Sequence, residues 1–186
     1  MEFRRPKLGN FSYLLMSSLI TALMGGVFGP FYVLYIQKIG GLDNFGFAFG
    51  IFMIASSLTS YFVGRYSDRV GRKPFMIFSS FVGAVLMLAY TFITSVAQLF
   101  AIQLFFGVND AIWSISEKTF LGDITKRKSR GRTMGKYDLM IGLIQGVGML
   151  IGGIVVSRMG FEIIFYLMAA ANVVSTIPLF FIKEKR

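Results

Sequence analysis

Six long apolar segments run along this sequence, separated by short stretches that carry most of its charged and turn-forming residues. The segments cover residues 11–36, 45–63, 74–93, 96–115, 137–156 and 161–182. A helix needs about 20 apolar residues to cross the roughly 30 Å hydrocarbon core of a membrane. We therefore predict that residues 1–186 form an all-α, polytopic membrane protein, a single bundle of six transmembrane helices.

Composition agrees with a bundle in lipid. The chain is 55% hydrophobic and 15% charged, against about 25% charged residues in soluble domains. It has no Cys and no His, so disulfides and the commonest metal ligand are excluded, and any proton transfer must use carboxylates. We expect no metal and no other cofactor, and no nucleophile–base pair or phosphate-binding loop indicates an enzyme.

Basic residues fall almost entirely on one side of the predicted bundle. Of the 19 Lys and Arg residues, only Lys38 and Arg158 lie in loops of the other side. Because Lys and Arg near helix ends are retained in the cytoplasm, we expect a multi-pass protein of the plasma membrane with both termini cytoplasmic. The net charge of +10 then reflects topology, and the expected partner is the lipid bilayer, not nucleic acid.

The two halves of the chain match each other at an offset of 89 residues. The matched pairs are Gly46 and Gly135, Gly64 and Gly153, Arg69 and Arg158, and Gly71 and Gly160. Three helices per unit would make the second copy inverted in the membrane, so we predict a 3+3 inverted repeat. Chance is the alternative, because glycine is frequent in this chain.

The connection between the second and third segments, residues 64–74, has an unusual spacing. It reads Gly-Arg-Tyr-Ser-Asp-Arg-Val-Gly-Arg-Lys-Pro. The glycines permit a tight turn, and a lone acid among four basic residues indicates a specific ionic partner. The loop resembles the signature of the major facilitator superfamily, Gly-x-x-x-Asp-Arg-x-Gly-Arg-Lys, at Gly64, Asp68, Arg69, Gly71, Arg72 and Lys73.

That resemblance implies that these six residues form a cytoplasmic conformational latch, and that the chain is the N-terminal half of a twelve-helix fold. Asp123, at the cytoplasmic end of the fourth segment, is an available carboxylate. Our hypothesis is that Arg72 pairs with Asp123 through a charge-assisted contact that breaks and re-forms. The alternative is a solvated surface pair contributing about 0 to 1 kcal/mol.

The fifth segment contains Gly142, Gly146, Gly148, Gly152 and Gly153. At about 100° per residue these glycines form two faces, which predicts close helix packing on two sides. Residues 148–153 also resemble the family's antiporter motif, Gly-Pro-x-x-Gly-Gly, with Met149 in place of the proline. Ordinary packing of small residues is the alternative explanation.

A polar stripe on the fourth segment supplies the candidate binding residues. The stripe has spacings of three and four residues and consists of Gln103, Gly107, Asp110, Ser114 and Glu117, with Asn109 and Trp113 beside it. A carboxylate in hydrocarbon costs about 2.5 kcal/mol or more. We therefore expect Asp110 to face the bundle interior or a water-filled cavity.

We predict that Asp110 binds a proton or a cationic substrate, and that Trp113 supplies a cation–π surface. Glu117 is a second candidate for the same role, but its position near the cytoplasmic end beside Lys118 favours a structural role for it. The alternative for Asp110 is a permanent partner, either a basic residue of another chain or hydrogen bonds from Asn109 and Ser114. The family's Arg-x-x-x-Gly motif, linked to proton transfer, is not matched, because Gln103 stands at the arginine position. Further candidate lining residues are Ser17, Ser18, Thr21, Tyr32, Tyr35 and Gln145.

The resemblance implies secondary active transport of a small molecule by alternating access, with proton-coupled efflux by an antiporter as the expected subtype. Family members carry two six-helix halves around a midplane site. The expected partners are therefore the small-molecule substrate and a second half, either a separate chain or a copy of this one. The alternative is a membrane sensor or assembly partner that uses the half fold without transport.

Overall fold

The computed structural model describes residues 9–184, which fold into five α-helices and one short 3₁₀ turn. The helices are α1 (Asn10–Val70), α2 (Lys73–Tyr90), α3 (Val96–Ile124), α4 (Arg130–Met159) and α5 (Glu162–Phe180), with the turn Arg127–Ser129 between α3 and α4. All five helices are long and apolar enough to cross a membrane. The basic residues at positions 4, 5, 7, 185 and 186, which enter the topology prediction, lie outside the described residues.

The first two predicted segments, 11–36 and 45–63, both lie in α1, so the structure has five apolar helices where the sequence predicts six. Helix α1 is interrupted at Gly41, whose backbone angles of φ 82° and ψ 175° are not helical. Glycine adopts a positive φ without a Cβ clash. A straight helix of these 61 residues would be about 90 Å long, some three times the thickness of the hydrocarbon core.

Both ends of α1 lie at the same end of the bundle. The side-chain amide of Asn10 donates to the carbonyl oxygen of Lys183 at 2.7 Å. The backbone N–H of Arg72, just after α1, donates to Glu184 at 2.7 Å. Helix α1 therefore folds back at Gly41, and its two arms, 10–40 and 42–70, run in opposite directions. We call the end with Arg72 and Glu184 the basic end and the opposite one the Gly41 end.

Two apolar clusters fill the interior, one toward each end. At the Gly41 end, the ring of Tyr90 stacks on that of Phe165, with centroids 5.3 Å apart. At the basic end, Leu14, Met76 and Leu179 are fully buried. Buried polar residues also lie inside the bundle: Ser17, Ser18, Ser79, Ser80, Gln103, Asn109, Ser116, Ser175 and Thr176. The core is therefore not uniformly apolar.

Helix α4 packs against the first arm of α1 through two glycines. A Cβ on Gly148 would collide with the carbonyl oxygen of Leu23, and a Cβ on Gly152 would lie 2.7 Å from that of Val27. Small residues let helix backbones approach this closely, which favours association in lipid.

The remaining glycines of α4 differ from this pair. A Cβ on Gly153 would lie 3.5 Å from the Phe31 ring, an ordinary contact, whereas one on Gly142 or Gly146 would meet nothing within 4 Å among residues 9–184. The close packing that the sequence predicts on two faces of this helix is thus present here only on the face of Gly148 and Gly152.

We predict that Gly148→Ala destabilises the purified chain by about 1 to 3 kcal/mol, the usual cost of forcing atoms into a packed interior. Gly142→Ala is the matched control, because it adds the same methyl group to the same helix in open space and should leave stability unchanged or slightly higher. The measurement is the midpoint of thermal unfolding in detergent. Equal midpoints for the two variants would contradict the close contact between α1 and α4.

Candidate functional site

A cavity of about 500 Å³ lies between the first arm of α1, α3 and α4. Three predicted binding residues, Asp110, Trp113 and Glu117, line this cavity. Ser114 lies between them on the same helix, so the second half of the predicted stripe faces one space. The other polar lining residues are Ser18, Thr21, Lys118, Tyr137, Asp138 and Gln145. We call this space the main cavity.

Asp110 is partly buried and accepts a hydrogen bond from the hydroxyl of Ser56, in the second arm of α1, at 2.9 Å. Neither Asn109 nor Ser114, the partners considered from sequence, donates to it among the hydrogen bonds of residues 9–184. Within the same residues both ion pairs belong to Arg72, so Asp110 has no basic partner there. Among residues 9–184 the Asp110 carboxyl group therefore has one hydrogen-bond partner, the Ser56 hydroxyl, and otherwise faces the cavity.

Gly107 explains why Ser56 reaches Asp110. A Cβ on Gly107 would lie 2.9 Å from the Cβ of Ala55 and would collide with the carbonyl oxygen of Phe52. Only a glycine at this position lets α3 approach the second arm of α1 so closely. No pattern in the sequence relates Ser56 to Asp110, which lies 54 positions further along the chain.

Glu117 is held by two hydroxyl groups that both donate to its Oε1. Its carboxylate accepts hydrogen bonds from the hydroxyls of Ser18 and Tyr137, the latter at 2.5 Å. These contacts join α3 to the first arm of α1 and to α4. Because both partners are neutral donors held in place by the bundle, this arrangement fits a structural tie better than an exchangeable binding group.

The structure does not bring Gln103 into the main cavity. Gln103 is 2% exposed and donates to the hydroxyl of Tyr32 at the Gly41 end. It borders a separate, apolar cavity of about 190 Å³. Tyr35 donates to the carbonyl oxygen of Tyr90 at 2.8 Å. Tyr32 and Tyr35, which the sequence suggested as lining residues, therefore belong to the aromatic cluster rather than to the main cavity. Asn109 faces a smaller polar cavity beside Asp110, which is described below as the inner chamber.

Arg72 joins two carboxylates at the basic end. Its Nη2 lies 2.8 Å from Asp68 Oδ1, and its Nε lies 3.2 Å from Asp123 Oδ2. The second contact is an ion pair by distance without the angle of a hydrogen bond. The Arg72 side chain is 18% exposed, whereas the two carboxylates are 65% and 52% exposed. The contact hypothesised between Arg72 and Asp123 is therefore present, in a partly solvated setting.

The same loop also holds the segment that follows α5. The Glu184 carboxylate accepts the backbone N–H groups of Arg72 at 2.7 Å and of Lys73 at 3.3 Å, at the start of α2, where helix N–H groups lack partners. The Lys73 ammonium donates to the carbonyl oxygens of Phe180 and Ile182, at the end of α5. Gly71 has φ 100°, and a Cβ there would lie 2.6 Å from Glu184 Oε2. Glu184 belongs to no recognised sequence motif, so its contact with the 71–73 backbone could not be predicted from the sequence.

The other two latch residues make fewer contacts. A Cβ on Gly64 would lie 4.0 Å from Ile115, so this position tolerates a close but unstrained approach of α3. Arg69 is exposed and has no ion pair among residues 9–184. The contacts of the loop are thus concentrated in Asp68, Gly71, Arg72 and Lys73.

Apolar helices of membrane-spanning length around a polar cavity that contains a carboxyl group define a polytopic integral membrane protein. Residues 14–186 match the family model of the Major Facilitator Superfamily, and the chain belongs to that family.

Three relatives show how much of a family member the chain spans. It is 30% identical over 138 residues to the MFS-type transporter YitZ of Bacillus subtilis, covering 74% of this chain and 84% of that protein. It is 28% identical over 159 residues to the MFS-type transporter MJ1560 of Methanocaldococcus jannaschii, covering 84% of this chain and 41% of that one. For the multidrug resistance protein MdtG of Proteus mirabilis the identity is 30% over 164 residues, covering 83% and 40%. The chain thus spans most of YitZ and about two fifths of the other two.

Proposed function

We propose that the chain acts as one half of a secondary transporter that moves a small molecule across the membrane by alternating access. The observation that carries this proposal is Asp110: a carboxylate inside a bundle of apolar helices, beside a cavity of about 500 Å³, with no basic partner among residues 9–184. An intramembrane acid is energetically costly, and acids retained there commonly mark a substrate or ion pathway. Membership of a family whose relatives are named as transporters agrees with it.

Within the main cavity the residues take different roles in this proposal. Asp110 binds the proton or the cationic group of the substrate, and Trp113 offers its ring face to the same cation. Glu117 holds α1, α3 and α4 together through Ser18 and Tyr137. Gln103 and Asn109 lie outside this cavity and are not direct ligands of a substrate within it.

We propose proton-coupled efflux as the direction and coupling of transport. The support is chemical: without histidine, Asp110 is the group in the cavity best placed to exchange a proton for a cationic substrate. Two relatives are named for export or resistance, MdtG and citrate exporter 1 of Aspergillus niger, the latter 29% identical over 129 residues, 69% of this chain and 25% of that protein. In this proposal the chain is a transporter and not an enzyme.

The topology that we propose has six crossings, because the two arms of α1 run in opposite directions and each exceeds the length needed to span a bilayer. Two glycines related by the offset of 89 residues, Gly71 and Gly160, both follow a helix and have φ values of 100° and 80°. This similarity supports a 3+3 inverted repeat. The charge distribution supports cytoplasmic termini in the plasma membrane.

A second six-helix half completes the proposed transporter, either a separate chain or a second copy of this one. The open face of α4 around Gly142 and Gly146 suits close packing of another helix. In this assembly Asp68, Arg72 and Asp123 form the latch, which closes and opens as one half rocks against the other. A sensor or assembly protein would show substrate binding without flux, and the experiment below separates the two.

We predict that Asp110→Asn abolishes flux driven by a pH gradient when the purified chain is reconstituted in liposomes, because the amide no longer binds a proton or a cation. The measurement is uptake of a fluorescent organic cation, ethidium, into liposomes with an acidic interior, driven by that pH gradient. Asp43→Asn removes an exposed carboxylate next to Gly41 and is the matched control, with flux unchanged. Flux unaffected by Asp110→Asn would sink the proposed role of this residue.

We predict that Arg72→Asp and Asp123→Arg each lower this flux, and that combining them restores part of it, because the ion pair is re-formed with reversed charges. Arg69→Asp combined with Asp123→Arg is the control, since Arg69 lies in the same loop and is not paired with Asp123. It should give no recovery. Equal recovery in both double variants, or none in either, would argue against the latch.

A further inference from the structure

A second polar cavity, the inner chamber, lies beside Asp110 between α1, α2, α3 and α5. Its volume is about 110 Å³. Six polar residues from these four helices line it: Thr21, Ser79, Ser80, Asn109, Asp110 and Asn172. It shares Thr21, Asp110 and Trp113 with the main cavity. Asp110 therefore stands between two polar spaces, and neither the proposed substrate binding nor the latch uses the inner one.

The three hydroxyl groups of the inner chamber have already committed their protons. Ser79 donates to the carbonyl oxygen of Asn109 at 3.1 Å and Ser80 to that of Met76 at 3.0 Å. Thr21 donates to the carbonyl oxygen of Ser18 at 3.1 Å. A hydroxyl has one proton and two lone pairs. Each of these oxygens is therefore left as an acceptor.

The two amides add further acceptors. The Nδ2 of Asn172 donates to the carbonyl oxygen of Met168 at 2.9 Å, and its Oδ1 lies beside Gly83, 3.1 Å from where a Cβ would stand. Asn109 is 8% exposed, and its Oδ1 accepts no hydrogen bond from residues 9–184. An unpaired buried acceptor costs about 1 to 3 kcal/mol, so a ligand that satisfies it contributes stability.

The balance of charge favours a cation. The inner chamber presents five neutral oxygen-bearing side chains and the Asp110 carboxylate, whose protein partner is the Ser56 hydroxyl. A cation is held by oxygen atoms, and hard cations prefer carboxylate, carbonyl and hydroxyl oxygens. One carboxylate matches a single positive charge, whereas a divalent ion would leave excess charge in the hydrocarbon region.

We propose that the inner chamber binds one sodium ion, held by Asp110 with oxygens of Ser79, Ser80, Asn109, Asn172 and Thr21. The inference rests on the proposed function in that it names the ion which replaces the proton on Asp110 during part of the cycle. Sodium binding itself is independent of flux.

The single tryptophan of the sequence, Trp113, lines both cavities and provides the readout. The purified chain in detergent is titrated with NaCl at fixed pH, with choline chloride keeping the ionic strength constant. We expect a saturable change of tryptophan emission with Na⁺ and none with choline or K⁺. The same change with choline, or an equal response to K⁺, overturns the sodium site.

Ser80→Ala and Ser157→Ala form a matched pair, because each hydroxyl donates to a backbone carbonyl of its own helix and only Ser80 lines the inner chamber. We expect Ser80→Ala to weaken the apparent Na⁺ affinity about tenfold or more, since even groups outside a metal's direct ligands affect affinity about 10- to 100-fold. Ser157→Ala should match the unaltered chain. Equal affinities in the two variants overturn the placement.

Asp110→Asn should abolish the response. If this variant fails to fold, ²³Na NMR of the unaltered chain still tests the proposal. We expect the ²³Na line to broaden when the chain is added, and an unchanged line width would overturn the sodium site. A chain that binds Na⁺ without carrying flux keeps this site and loses the proposed function. A chain that carries flux without an Na⁺ response keeps the proposed function and loses the sodium site.

Discussion

In a hydrocarbon layer a polar group must find a partner inside the protein or face a water-filled space, because an unsatisfied one costs several kcal/mol. This constraint bears most on the two acids that line the main cavity from α3, Asp110 and Glu117. Glu117 accepts hydrogen bonds from Ser18 and Tyr137, and these contacts join three helical segments. Asp110 has one hydroxyl partner and lies between two polar cavities. The difference between these two acids, on one face of one helix, separates a structural carboxylate from one left available to a ligand.

The basic end follows the same constraint with charged groups that reach water. Residues 72 and 73 join α1, α3 and α5: the Arg72 side chain binds Asp68 and Asp123, its backbone N–H binds Glu184, and Lys73 binds the end of α5. The position of the segment after α5 is therefore coupled to the loop that carries the Arg72–Asp123 pair. If that pair breaks during transport, the contacts of Glu184 are the nearest ones that would have to adjust.

The sequence predicted those features that depend on composition and spacing along one helix. Apolar length predicted the helices. The family resemblance of the 64–74 loop, with Asp123 as the available carboxylate, predicted that Arg72 meets Asp123. The sequence placed a loop at residues 37–44, where the structure has only one non-helical residue, Gly41. It could not relate Asp110 to Ser56, or Arg72 to Glu184, because small polar residues and chain-end acids carry no periodic signal and their partners are set by how helices pack. Gln103 shares the face of Asp110 by spacing, yet it donates to Tyr32 and borders a separate cavity lined by aromatic rings.

The central claim is that Asp110 borders a water-filled cavity rather than lipid. The chain has no Cys, so a single introduced thiol can be followed without background. Ser114→Cys places a thiol in the main cavity, and Val85→Cys places one on the outer surface of α2, at a side chain that is 65% exposed. The most direct measurement is the rate at which a membrane-impermeant maleimide labels each variant in sealed liposomes with mixed orientation. We expect rapid labelling at position 114 and protection at position 85; protection at both positions would show that Asp110 does not border a water-filled cavity.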